Sequence, residues 1–442
     1  MPTPVRPALP EGDGFQPNTQ HTSTFLPSFL RGPQGMLIFM AFAMAISMHG
    51  WFGLLNNFMN EEAHFTGKEV GFLQSIREIP GFMSFAAVLL LPFIREQNLA
   101  LLSLVFLGLG TALTGYFPSE YALYGTTFLM SLGFHYYETM NQSLTLQTVH
   151  KTHAATHLAT QLRAASLGTF VILLAILIFF DDKQFIEMQM RLGIAEPFSG
   201  FNVGYVPIYV AAGVVTVAIA VFCKLHYPMF EVPHAQTKTL FLRPRYWLYY
   251  ALTFMGGARR QIFMVFAGWL MVEKFGYDAT TISLLYMVNL IANIFIAPKV
   301  GRLIAKLGER RALILEYCGL IAVFTGYAFV EDHTVAAALY ILDHLFFAFA
   351  IAIKTYFQKI ADPRDIASTA GVSFTINHIA AVGIPAVFGY LYLQDDGLVF
   401  QLGAGMAVIS LALALLVPRD PQAGKETILT AKNPSAAAQP AE

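Results

Sequence analysis

The sequence predicts an all-α polytopic membrane protein with twelve transmembrane helices in two six-helix bundles. Three observations predict it. Of 442 residues, 56% are hydrophobic and only 12% charged, with a mean hydropathy of +0.55. An ordinary soluble chain is about a quarter charged, so much of this surface meets something other than water. Apolar runs of roughly 20 residues, enough for a helix to cross ~30 Å of hydrocarbon, recur along the whole chain. The runs lack the period-two alternation, over half that length, of barrel strands.

The runs fall at 35–58, 69–94, 98–116, 120–148, 154–180, 201–224, 246–272, 278–300, 311–330, 334–358, 367–393 and 397–417. Residues 1–34 are polar and rich in Pro and Gly, without the basic start, apolar core and cleavage site of a signal peptide. They read as a disordered cytoplasmic tail, and 418–442 reads as a second one. The longest inner connection, HYPMFEVPHAQTKTLFLRPR (226–245), is a cytoplasmic linker. It separates an N-terminal bundle, 35–225, from a C-terminal one, 246–417.

Lys and Arg set the orientation. With the N-terminus inside, the outer connections carry only Lys68, Lys183, Arg191 and Lys274. The spans carry Arg77, Arg163, Arg259, Arg260 and Lys354, and the other basic residues lie inside. Both termini are therefore expected in the cytoplasm, and the acidic outer connections (Asp181, Asp182, Glu331, Asp332, Asp395, Asp396) fit a bacterial inner membrane.

Several classes are excluded or disfavoured. A net charge of −1 without a basic block argues against nucleic acid. Cys223 and Cys318 match no metal spacing and are too few for a disulfide framework. No nucleophile motif, phosphate-binding glycine loop or one-helix metal cluster is present, so neither an enzyme nor a cofactor is expected. His49, His135, His157, His344 and His378 lie in five different spans without i, i+4 pairing, which predicts no metal site.

The halves can be laid over each other. Aligning Phe65 of HFTGKEVGF with Phe275 of KFGYDATTI places His49 opposite Arg259. Aligning LRAASLG (162–168) with NHIAAVG (377–383) places Arg163 opposite His378. Repeats of this kind predict a site near the bilayer midplane between the halves.

The segment GRLIAKLGERRAL (301–313) resembles the signature loop of the major facilitator superfamily, with Gly301, Leu303, Lys306, Gly308, Arg310 and Arg311 matching. Glycines there allow a tight turn between closely packed helices, and the basic residues suit helix C-termini and lipid phosphates. The counterpart in the first half, LPFIREQNLALL, is shorter and lacks the glycines. The resemblance implies a secondary transporter that works by alternating access, for which a monomer suffices.

Buried polar residues narrow the function, because a charge at the bilayer centre costs at least a few kcal/mol. The second run carries Arg77 and Glu78, read as a structural pair or gate together with Arg260 and Lys354. The fourth carries His135, Glu138, Asn141 and Gln142; His135, Glu138 and Gln142 share one face. The fifth carries His157, Gln161 and Arg163. The tenth carries Asp343, His344 and Lys354; Asp343 and Lys354 are ~16 Å apart along the axis and cannot pair directly. Leaving out Glu316, expected to pair with the basic loop before it, five bases face three acids, Glu78, Glu138 and Asp343. The surplus suggests an anionic ligand, which arginine grips through two hydrogen bonds.

The expected function is proton-coupled transport of a small organic anion across the lipid bilayer. Arg259, Arg163, His49, His378, Asn377 and Gln261 are the candidate binding residues. Glu138, Asp343, His135 and His344 are the candidate proton carriers. Adjacent helical residues point ~100° apart, so Arg259 is assigned to the solute and Arg260 to a counter-ion role. Gly256 and Gly257 mark a packing point or hinge, and Trp247, Tyr249 and Tyr250 anchor an interface. A proton-antiport exporter of drugs or metabolites is the alternative reading, and a non-transporting receptor with a transporter fold is a third.

Overall fold

The computed structural model describes residues 27, 30–148, 154–180, 183–198, 201, 203–229, 242–362 and 365–430. Most of the predicted first tail, most of the linker and the last twelve residues lie outside them. Among the described residues the regular structure is helical, apart from one isolated bridge between Gln422 and Lys425.

The first half comprises α1 (Gly32–Glu61), α2 (Gly67–Phe82), α3 (Glu96–Thr114), α4 (Glu120–Thr148), α5 (Ala154–Phe179) and α6 (Tyr205–His226). The second begins with α7, which is α-helical over Trp247–Gln261, π-helical over Ile262–Ala267 and α-helical again over Gly268–Glu273. It continues with α8 (Ala279–Leu307), α9 (Glu309–Phe329) and α10, which is broken by a 3-10 turn at Ala348–Ala350 and resumes over Ile351–Ile360 after starting at His333. Helices α11 (Ile366–Tyr392) and α12 (Asp396–Leu415) close the fold. Side-chain caps start several helices: Glu69 accepts from Thr66 N at 2.9 Å, Asp278 from Thr281 N at 2.8 Å and Asp332 from Val335 N at 2.9 Å.

Nine of the described helices are long and apolar enough to cross a membrane. The three that fall short, α2, α4 and α7, carry Arg77 and Glu78, His135 and Glu138, and Arg259 and Arg260. Helix α2, with 16 residues, is also too short for a membrane-length run, and α7 is interrupted by its π-helical stretch.

Four details differ from the sequence reading. Helix α2 stops at Phe82 rather than near 94, two residues after Pro80, and a five-residue helix, Phe85–Leu89, follows. Helix α8 runs through most of the signature segment to Leu307, so the loop contracts to Gly308, whose φ of +80° suits glycine. A nine-residue amphipathic helix, Lys183–Arg191, lies between α5 and α6. Finally, residues 418–430 are not a free tail: Ile428 N donates to Leu416 O, Tyr356 Oη to Glu426 O, and Glu426 and Thr427 are buried.

We call the face bearing the α1–α2 and α11–α12 turns distal, and the face bearing Gly308 proximal. The halves meet along α2 and α11, with α5 and α1 against α8. The α2–α11 seam is tight. A Cβ on Gly71 would lie 2.2 Å from Pro385 O, and one on Gly389 would lie 2.6 Å from Gly67 O. Ala386 N donates to Ser75 Oγ at 3.0 Å, and Asn57 Nδ2 bonds Tyr277 O across the halves at 2.7 Å.

On the proximal face Asp365 is buried and gathers Arg245 at 2.6 Å, Arg243 at 3.3 Å and the Tyr246 hydroxyl at 2.9 Å, tying the end of the linker to the start of α11. Burial alone would raise the Asp365 carboxyl, but the hydrogen bonds from Arg245 and Tyr246 and the charge of Arg243 outweigh it and hold it below the usual carboxylate range. A lowered folded pKa stabilises above the unfolded pKa, and that gain fades as pH falls through the folded value. The arginines are nearly half exposed, so Asp365→Asn is expected to cost about 1 kcal/mol at neutral pH. The difference in melting temperature between the two proteins should shrink towards pH 3. A constant difference across that range would show that the charge is not what matters.

Candidate functional site

Two polar clusters form, where the sequence suggests one cavity set. The first spans the halves about 15 Å below the distal end of α2, ten residues on from Gly67. Arg77 Nη2 pairs with Glu78 Oε1 at 2.5 Å, and the guanidinium also lies 4.9 Å over the Phe52 ring. The other carboxylate oxygen, Glu78 Oε2, is 2.8 Å from His378 Nδ1 on α11. His135 on α4 packs its ring at 4.9 Å from that of His378. Arg77, Glu78, His135 and His378 are all buried. Arg77 is further fixed through its carbonyl, which accepts from Ser131 Oγ.

Arg260 reaches this cluster from the second half. It stands within electrostatic range of Arg77, Glu78, His135 and Glu138. It forms no ion pair among the described residues, and its Nε has no hydrogen-bond partner. Glu138, one helical turn beyond His135 towards the proximal face, is exposed while remaining in the field of Arg260.

The second cluster is internal to the second half. Arg259, 4% exposed, lies 3.8 Å from Glu316 on α9 and 4.4 Å over the Tyr317 ring. Asp343 on α10 is in range of the same guanidinium and of Tyr327 and Tyr340. Both its oxygens are buried without a hydrogen-bond donor.

The two adjacent arginines point to different clusters. Arg259 is the paired, buried one, and Arg260 faces the interface. Glu316 does not pair with the basic loop, because α9 begins at Glu309 and two turns separate them. Had Glu316 entered the charge count, five bases would face four acids.

The remaining candidates scatter. His49 is held inside the first half by Ala45 O and Thr169 Oγ1, both at 3.1 Å. His344 bonds Tyr340 O at 2.8 Å and packs on Phe263 and Tyr286. Asn377 lies against Gly257, where a Cβ would be 2.5 Å from Asn377 Oδ1, so that glycine is a packing point between α7 and α11. Gln261 is fully buried with both amide atoms unpartnered. Gln161 bridges Asn141 at 3.1 Å and Thr145 at 2.9 Å, joining α4 to α5. Arg163 and Lys354 are exposed. In the signature segment, Arg310 and Arg311 line a surface pocket with Leu307, Ile314 and Arg419, while Lys306 and Leu303 end α8 near Gly308.

The sequence reading sought metal ligands at i, i+4 on one helix. The structure assembles Glu78, His135 and His378 from three helices, with donor atoms all within 4.8 Å of one another.

Helices packed as two halves around a polar interface define a membrane transporter rather than an enzyme. A model of the Major Facilitator Superfamily matches residues 192–385 and 249–440, together more than half of the chain, and the protein belongs to that family. No curated protein matches the sequence. Among solved structures it is similar to the nucleoside transporter NupG in a mutant form, at 13% identity over 87% of this chain and 99% of that one, with a TM-score of 0.68. A bacterial homologue of the human lysosomal transporter Spinster, inward-facing and occupied, overlays at 12% identity over 87% and 95%, with a TM-score of 0.68. The transporter FucP in its outward conformation overlays at 15% identity over 86% and 97%, with a TM-score of 0.54.

Proposed function

We propose that this transporter carries a small organic anion, coupled to protons, and binds it at the interface of the halves beside Arg260. The observation that carries the reading is Arg260 itself: a guanidinium at mid-membrane depth, facing the other half, without an ion pair among the described residues. A charge so placed needs an anionic partner, and a bound carboxylate or phosphate supplies one with two hydrogen bonds. Glu138 shares the field of Arg260, so solute arriving there competes with its carboxylate and favours its protonation. Asp343, a carboxyl without a donor, is the second proton carrier. The proximal face, with both termini, is cytoplasmic on this reading, and the six-plus-six division of bundles is kept.

The test is ligand-induced thermal stabilisation of the purified protein, screened over organic anions, phosphates, lipophilic cations and neutral sugars. An anion should raise the melting temperature of the native protein. Arg260→Gln should weaken its binding by about ten- to a hundredfold, from the loss of ~1.5–3 kcal/mol of charged hydrogen bonding. Glu138→Gln with Asp343→Asn should leave uptake indifferent to a proton gradient. Stabilisation by lipophilic cations alone would sink the anion reading in favour of an exporter.

A further inference from the structure

We infer that Glu78, His135 and His378 form a binding site for a transition-metal ion of the Zn²⁺ type, and that the ion clasps the two halves together. Two imidazoles and a carboxylate, all buried, place one donor atom each within 4.8 Å of the others. Such a set is that of a zinc centre with one open position. His135 Nδ1 is buried with no hydrogen-bond partner, so this ring is not engaged as a structural hydrogen-bonding histidine through that nitrogen.

The backbone makes room for the rings to converge. A Cβ on Gly81 would stand 2.6 Å from His378 Cε1 and 2.7 Å from His135 Cε1, so any side chain there would push both imidazoles away. Tetrahedral zinc with bonds of ~2.0–2.1 Å separates its ligands by about 3.3 Å. His378 Nδ1 and Glu78 Oε2 at 2.8 Å need to part by a few tenths of an ångström, and the wider pairs need to close.

The charge environment selects the ion. Arg77 occupies Glu78 Oε1 and leaves Oε2 to the site. Arg77 and Arg260 both act on this cluster, which penalises Mg²⁺ and Ca²⁺, ions held by oxygen ligands and charge. Zn²⁺ and its neighbours bond imidazole nitrogen well, and an anion in the open position offsets the added charge. Glu78 and His135 belong to the first half and His378 to the second, so the site is complete only while the α2–α11 seam is closed. The ion would therefore hold the distal face shut and arrest transport, whichever solute is carried.

The experiment uses the purified full chain without solute, titrated with Zn²⁺ and, separately, Mg²⁺. Zn²⁺ should raise the melting temperature of the native protein saturably and Mg²⁺ should not. His378→Ala and His135→Ala should lose the shift, while His333→Ala, in an exposed position, should keep it. If the first two variants do not fold, diethylpyrocarbonate labelling of the native protein decides: Zn²⁺ should protect His135 and His378. No Zn²⁺ shift, a shift retained in both histidine variants, or labelling unaffected by Zn²⁺ would overturn the site. Because no solute is present, these outcomes are independent of whether an anion is carried.

Discussion

Arg259→Ala is expected to destabilise the fold by about 3–5 kcal/mol, the usual cost of stripping one partner from a buried pair. Glu316 and Asp343 would be left facing each other's surroundings with no cation, and Tyr317 would lose the charge over its ring. Replacing both members by apolar residues of similar size, as in Arg259→Met with Glu316→Leu, should recover most of the loss, because a buried pair is worth little beyond its own desolvation. Thermal unfolding of the three variants checks this. An Arg259→Ala protein that melts like the native one but binds no solute would restore Arg259 as the ligand and return Arg260 to a supporting role.

Gly71→Val is expected to impair closure of the distal face. The added atoms would meet Pro385 O and the Gly389 backbone, with a Cβ already at 2.2 and 3.0 Å. Side chains can rotate out of a clash, but here the obstacle is main chain on a facing helix. Overpacking of about 1–3 kcal/mol shifts the balance between states about 5–150-fold, and backbone contact places this case at the upper end. Spin labels at Glu62 and Gln394, in a background lacking Cys223 and Cys318, would report the change as a longer distal distance with slower transport. An unchanged distance distribution would mean the seam yields elsewhere.

The sequence carried the architecture well because a bilayer demands long apolar helices, and such runs can be read without knowing what packs against them. The exceptions are local: α2 stops at Phe82 inside a longer apolar run, and the Lys183–Arg191 helix is too brief to stand out as a membrane-length run. The site was legible as a set of residues and not as a set of partners. Arg77, Glu78, His135 and His378 all stood out as charges or imidazoles in apolar runs. That they meet depends on which helices face one another across the halves, and the periodicity of one helix does not name its neighbour. Glu316 reads in sequence as a neighbour of the basic loop, but it lies two turns into α9 and meets Arg259 instead. Gly81 gave no sign at all, since its part is to leave space.

The π-helical stretch in α7 changes how the two halves should be matched. Helix ends give the register directly: α1 ends at Glu61 and α7 at Glu273, while α2 begins at Gly67 and α8 at Ala279, each an offset of 212. Helix α1 is α-helical throughout, whereas Ile262–Ala267 accommodates one residue more than an α-turn would. Carried back through that insertion, the offset becomes 211, and His49 corresponds to Arg260, not Arg259. An ungapped comparison of the halves therefore misassigns every position upstream of residue 262 in this helix, and a chimera exchanging α1 for α7 must add or delete one residue to keep both ends in phase.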